Sequence, residues 1–525
     1  MLRPVFFWIS CAALCSLSTP VLAQQVGTKV AVTYTTLGMN ASDGPIVDVG
    51  SDATNRVWAV NAGRVSAALG SLRVPLLPIT VADTPLAAAA SFRSVSFAVP
   101  AGNTGDGEHF YLGSSAGIAW GRLASTIEQK SPLLVAPPAG GPWPADADPN
   151  FVNDTDSDGR DWLWAATRRG LVLWDLGLSD PNSSSPARYL DDYPTNATHD
   201  GWIDRVAVTP WGDAAATDGD QLWLVDVDGN ETLVRELGSG VFAGITFDDA
   251  GNLWAATTAT VSSVPQLLKF ESDGGSGTPP AGLTGGVKAF PLNPFVGSGI
   301  PAGFLPTDIA VDGLTGRVWV TTSSSNQGAM KTAYFQDPAD ASGDLNDDPG
   351  SNNWGVVSST FDSHTVVHTD TAGNAWFGMA GSSEALNGYV VRLLTLDKSR
   401  YLGGATGVAT LFDLTLAGSG SAMISIAVAS DSREFLPAET PAGSGTFVQA
   451  FRIVPSGEAG GSGEEFLTSS SATDVPVKAI YTFTDASTPP RERELTATAS
   501  WANIVKFQDD LWIGNGPCFL RSVGW

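Results

Sequence analysis

The sequence predicts an all-β protein, a β-propeller carrying an inserted β-sandwich, and three observations lead there. A turn-plus-strand unit recurs at near-constant spacing from Asn55 to Gly378. Glycine (58 of 525 residues) exceeds the usual ~7% and proline adds 33, which suits many short strands joined by turns. A stretch of alternating strands with a different texture then fills residues 400–501.

The clearest copy of the unit is Asp158 to Leu176, DGRDWLWAATRRGLVLWDL. It reads as a tight turn, a strand centred on Trp164, a second turn and a second strand. Equivalent cores lie at Val57-Trp58, Phe110-Tyr111-Leu112, Ala214-Ala215-Ala216-Thr217, Leu253-Trp254, Val318-Trp319, Ala375-Trp376 and Leu511-Trp512. From Trp58 to Trp376 the key position returns about every 53 residues, the length of a four-stranded blade with its loops. Alternating apolar strands precede the cores, as in Arg205-Val206-Ala207-Val208 and Asp308-Ile309-Ala310-Val311, and Asp/Gly/Asn turns link the two as hairpins. One blade cannot bury both of its faces alone. Radial stacking covers each sheet with its neighbours, and the recurrent tryptophan is expected to fill the space between them.

Residues 1–23 read as an export signal. Arg3 supplies the positive start, Val5 to Leu17 is an apolar run, and Val21-Leu22-Ala23 precedes the expected cleavage at Gln24. The run is short for a membrane span, which needs ~20 residues. The expected location is therefore outside the cytoplasm, whether periplasmic, extracellular or at the cell surface. The formal net charge of −26 falls by one more unit when Arg3 leaves with the signal. Such a field repels nucleic acid and anionic lipid and excludes both as partners. Cys518 is the single cysteine left after cleavage, so no intramolecular disulfide can form.

The blade pattern, turn-G-N-L-W-x-x-T-x-x-G-L, resembles the secreted bacterial propellers of the two-component-regulator and streptogramin-lyase-like superfamily. GNLWAATT (251–258) and LWAATRRGL (163–171) match it, and NAWFGMAGSSEALNGYVVRL (374–393) is the most lyase-like stretch. The resemblance covers residues 26–398 and 503–525. It implies a propeller and leaves the role open, because such folds host many functions.

Between Trp376 and Trp512 lie 136 residues, more than two blades' worth of chain. Within them Asp413, Ser430-Asp431-Ser432, Glu439-Thr440, Gly445-Thr446-Phe447, Tyr481-Thr482-Phe483-Thr484-Asp485 and Trp501 resemble an Ig-like β-sandwich repeat of bacterial surface and adhesion proteins. Pro441 replaces that repeat's glycine. The domain reading is thus a signal (1–23), propeller blades one to seven (26–398, with 26–38 giving a closing strand), an Ig-like sandwich (400–501) and a last blade (503–525). Val30 to Tyr34 is expected to complete that eighth blade. Seven blades is the alternative, should the second repeat be irregular.

Two candidate sites emerge. Asp154, Asp156 and Asp158, followed by Gly159, place carboxylates at alternate positions before a sharp bend, the donor set a calcium ion takes from a loop. Asp161 falls one residue short of the D-x-D-x-D-G-x-x-D spacing. His364 and His368 lie four apart on an expected inner strand and would face one side, with Glu384 in the next hairpin. The lyase resemblance implies a histidine base and a glutamate near a metal at the propeller centre, which would map to His368 and Glu384. No serine sits in a G-x-S-x-G elbow with partners, and P-loop, zinc-cluster and dinucleotide patterns are lacking. Two functional readings follow. One is a non-enzymatic exported binding scaffold for an extracellular protein or glycan, with the sandwich as spacer or adhesive module. The other is a metal-dependent lyase or hydrolase using His368 and Glu384. The assembly state is not encoded.

Overall fold

The protein was analysed as a computed structural model. It describes residues 30–35, 44–53, 56–67, 78–100, 108–123, 151–168, 170–177, 188–190, 202–261, 264–272, 283, 286–292, 305–312, 317–323, 331–336, 354–358, 364–379, 385–390, 392–398, 400–402, 404–429, 431–455, 466–469, 475–484 and 492–502. Strands dominate these residues, and no helix among them is long and apolar enough to cross a membrane.

Among the described residues seven antiparallel sheets form a series, each running outward from an inner strand and six of them simple meanders. The inner strands are Ile46–Ser51, Phe92–Ala98, Val152–Ser157, Arg205–Val208, Phe242–Phe247, Leu305–Asp312 and His364–Thr369, which define blades 1 to 7. Each inner strand touches the next, and the seventh touches the first, so the ring is closed. The protein is a β-propeller.

The repeated aromatic explains the stacking. Each one is buried on the second strand of its blade and packs forward onto the blade that follows. Trp58 meets Phe92, Val95 and Phe110 of blade 2, Trp164 meets Val206 and Ala216 of blade 4, and Trp254 meets Ile309 and Val320 of blade 6. Trp376 of blade 7 meets Ile46, Val49 and Ala59 of blade 1. Each such ring removes roughly 150–250 Å² from water, several kcal/mol per blade junction.

A local device fixes these rings. Asp52, Asp248 and Asp370 open the turns before the tryptophan strands. One carboxylate oxygen accepts the backbone N–H four residues on, from Arg56 (3.1 Å), Asn252 (2.9 Å) or Asn374 (3.0 Å). The other accepts the indole N–H six residues on, from Trp58 (3.0 Å), Trp254 (3.0 Å) or Trp376 (2.9 Å). The side chain of the intervening Arg56, Asn252 or Asn374 donates to that same oxygen. This is the physical content of the D-x-x-x-N-x-W pattern. Gly251 and Gly373 take positive φ (80° and 83°) because these tight turns require it.

The seventh blade corrects the expected closure. Val30–Thr35 pairs antiparallel with Ala385–Val390, Val32 opposite Gly388, and so becomes the outer strand of blade 7. An eighth blade would have to come between blades 7 and 1. There the Trp376 cluster is continuous, Thr365 Oγ1 donates to the Ile46 carbonyl (3.2 Å), and Ser51 Oγ bonds His368 Nε2 (2.8 Å). Among the described residues the ring therefore closes with seven blades. Residues 503–525, assigned to that eighth blade, lie outside the described residues.

Residues 392–502 form two further sheets. One comprises Arg392–Leu396, Thr406–Asp413, Thr446–Pro455 and Phe466–Ser469. The other comprises Arg400–Leu402, Glu492–Ala502, Val475–Thr484, Ile424–Val428 and Asp431–Phe435. Their inward-facing residues share one core that includes Tyr401, Phe447, Phe451 and Trp501. Every other residue of Ile424–Val428 is buried, as a half-buried strand dictates.

Arg392 joins this body to blade 7. Its backbone exchanges bonds with the Asn374 side chain (2.9 and 2.7 Å), and its guanidinium bonds Asp413 (2.8 Å) and lies 4.4 Å from the Phe483 ring centre. Asp413 also accepts the Tyr481 hydroxyl (2.8 Å) and the Thr415 N–H (2.9 Å).

Candidate functional site: the ring axis and its leading face

Neighbouring inner strands run in the same direction, since Asp154 Oδ2 accepts Val206 N–H (3.2 Å) and Asp156 Oδ2 accepts Val208 N–H (2.8 Å). The same bridge recurs where Asp48 accepts Val95 N–H (2.7 Å) and Asp308 accepts Val367 N–H (2.9 Å). In each of Asp48, Asp154 and Asp156 the other oxygen accepts the next residue's own N–H, at 2.8 to 2.9 Å. The inner strands of adjacent blades are not hydrogen-bonded into one sheet. Carboxylates thus satisfy amides that would otherwise lack an acceptor.

Burial raises these acids. The Asp48 carboxyl is held well above the ordinary range, with Asp154 and Asp308 adding like charge. Asp156 is pushed up to about 7 and Asp308 to about 6, desolvation being the main cause in both. Asp154 also rises through desolvation, with Arg205 opposing the shift. Arg205 itself is desolvated, yet Asp308, Asp154 and Asp48 together hold its guanidinium firmly protonated. Those partners belong to blades 6, 3 and 1. A blade 4 side chain can answer to all three only by pointing at the ring axis.

The face where the inner strands begin, called here the leading face, has a different chemistry. Arg93 sits at the start of its strand, Phe151 just before Val152–Ser157, Trp202 just before Arg205–Val208, and Arg168 in the turn after Trp162–Thr167. The guanidinium carbon of Arg168 lies 3.5 Å from the centre of the Phe151 ring and 4.4 Å from that of Trp202. That of Arg93 lies 4.5 Å from Phe151. Arg168 is tethered through its backbone N–H to the Phe151 carbonyl (3.1 Å), and its buried Nε has no hydrogen-bond partner. Arg93 is made less basic by desolvation and by the positive charges of Arg168 and Arg205.

The expected calcium loop is a strand and a turn. Asp154 and Asp156 belong to Val152–Ser157, where alternate side chains stand ~6–7 Å apart along a line rather than around a point. Asp158 Oδ1 closes the following turn by accepting Arg160 N–H (2.8 Å) and Trp162 N–H (3.0 Å). Asp161 lies beyond that turn, its side chain close to Gly177 and its carbonyl accepting Leu176 N–H. This donor set does not converge on a cation, and no three His, Cys, Asp or Glu side chains among the described residues group as a metal site.

The two histidines do not share a face. A β-bulge lies between His364 and Val366, and the extra residue reverses the alternation. His364 packs on Phe377 (5.1 Å between ring centres), toward blade 6, whereas His368 turns to Ser51 of blade 1. Desolvation lowers both to about 4, so both are neutral at pH 7. Glu384 lies outside the described residues. Arg168, Arg205, Phe151, Trp202, Asp48 and Asp308 escaped the sequence reading. A signal existed for Asp48, which, like Asp154, precedes its blade's tryptophan by ten residues.

No known protein family matches the chain, and no curated protein matches it. Among solved structures it is similar to the WD40 β-propeller domain of Doa1, with a TM-score of 0.41 and 11% identity over 68% of this chain and 97% of that one. It is also similar to the full extracellular region of plexin A4 (TM-score 0.37, 8% identity, 90% of this chain and 62% of that one). A third is apo prolyl oligopeptidase B from Galerina marginata (TM-score 0.34, 10% identity, 73% and 48%).

Proposed function

We propose that this chain is an exported, non-enzymatic binding scaffold whose propeller engages an extracellular protein or glycan on its leading face, with the second β-body as spacer or adhesive module. The observation that carries the reading is the group of Arg93, Phe151, Arg168 and Trp202 on one face of the ring. Arginine and aromatic side chains are the ones that dominate binding surfaces. The acids on the axis serve instead as clamps between blades.

The test is capture of partners from panels of extracellular glycans and proteins by the mature chain. Phe151→Ala and Trp202→Ala should each weaken capture, while Met423→Asp on the second body should not. Capture altered by Met423→Asp alone would contradict the reading. So would turnover of a captured molecule that is lost in His368→Ala.

A further inference from the structure

We propose that the leading face holds an oxyanion site, formed by the guanidinium groups of Arg93 and Arg168, and that it takes a carboxylate or sulfate group borne by an acidic saccharide. The proposal rests on the binding reading above and names the chemistry of that same face.

Three features point to it. The first is the clustering of like charge. Arg93 and Arg168 stand over one phenylalanine ring at 4.5 and 3.5 Å, so their guanidinium carbons are separated by no more than those distances combined. In a chain with 28 basic and 54 acidic residues, two arginines from neighbouring blades meet over one ring. Such repulsion is relieved by a bound anion.

The second feature is the buried Arg168 Nε without an acceptor. An orphaned charged donor is costly, and a ligand oxygen would restore the missing bond. The third is rigidity. Phe151 and Trp202 hold the Arg168 guanidinium in place, and a fixed planar fork matches carboxylate and sulfate geometry at little entropic cost. The half-buried Phe151 and Trp202 rings beside it offer apolar surface of the kind a sugar ring packs against, which favours a saccharide over an acidic peptide.

The acids on the axis do not quench the site. Asp48, Asp154 and Asp308 act on Arg205, and each is also bonded to a backbone amide of the next blade.

Isothermal titration of the mature full chain decides the matter, with oligogalacturonate, a sulfated galactan oligomer, neutral galactan and polyglutamate as probes. Binding of at least one acidic saccharide is expected, weakened about tenfold or more in Arg168→Gln and in the exposed Arg93→Gln, and suppressed by added salt. The two acidic probes separate carboxylate from sulfate. Failure of both to bind, affinity unchanged from wild type in Arg93→Gln and Arg168→Gln, or binding of polyglutamate in preference to either saccharide would overturn the proposal. Neutral galactan bound through Phe151 and Trp202 with both arginine variants unaffected would overturn the oxyanion site and leave the binding reading standing.

Discussion

Asp370→Ala should destabilise the fold by about 3 kcal/mol at pH 7, the balance of two opposing effects. The carboxylate accepts hydrogen bonds from Ala372 N–H (2.9 Å), Asn374 N–H (3.0 Å), Asn374 Nδ2 (3.0 Å) and Trp376 Nε1 (2.9 Å). Asp370, Asn374 and Trp376 are 4%, 2% and 0% exposed, so water cannot replace the lost acceptor. At ~1–3 kcal/mol for each stranded donor, with some relaxation, the loss is about 6 kcal/mol. Against this, burial pushes the Asp370 carboxyl up to about 6. Holding it ionised at pH 7 costs about 3 kcal/mol at ~1.4 kcal/mol per pKa unit, and the substitution recovers that. Asp248 makes the same bonds in a half-exposed turn, so Asp248→Ala should cost only about 1 kcal/mol. Urea unfolding followed by tryptophan fluorescence reads both. A loss below 1 kcal/mol for Asp370→Ala, or a larger loss for Asp248→Ala, would refute the clamp as the source of blade rigidity.

Three further outcomes are expected. Asp413→Ala strands the Arg392 guanidinium and the Tyr481 hydroxyl at the join between blade 7 and the second body, and should cost about 3–5 kcal/mol in chemical denaturation. Asp156, raised to about 7, contributes stability that is fully present below the unfolded value near 3.8 and is lost as pH rises through about 7. Asp156→Asn lacks this titration, so between pH 5 and 8 its stability relative to wild type should shift in its favour by on the order of 2 kcal/mol, allowing for water at the axis. Taking the difference between the two proteins cancels the opposing titration of His364 and His368, whose lowered values remove stability as pH falls from about 6.5 toward 4. Finally, EDTA should leave the melting temperature unchanged. A chelator-induced drop that Asp158→Asn abolishes would restore the calcium reading.

The architecture was legible because the blade's physics is local. A turn acid, an amide and an indole separated by four and six residues leave a pattern that can be read in one dimension. Blade number was less accessible. It depends on which strands meet at the closure, and nothing in Val30–Thr35 distinguishes Ala385–Val390 from residues 503–525 as its partner. The shared face expected of His364 and His368 was misread for a related reason. A four-residue spacing promises a shared face only on a regular strand, and the bulge at Thr365 carries no composition signal. The acidic run at Asp154 to Asp158 held the right residues with a different role, because in one dimension a strand edge that clamps its neighbour looks like a cation loop. Arg93 and Arg168, spaced far apart in sequence, come together only through the ring.

Hydrogen–deuterium exchange of the mature full chain, with and without a captured acidic saccharide, locates the binding face. Slowed exchange is expected in the segments around Arg93, Phe151, Arg168 and Trp202, with residues 404–455 unchanged. Protection confined to residues 404–502, with the leading face exchanging as in the free protein, would contradict this placement.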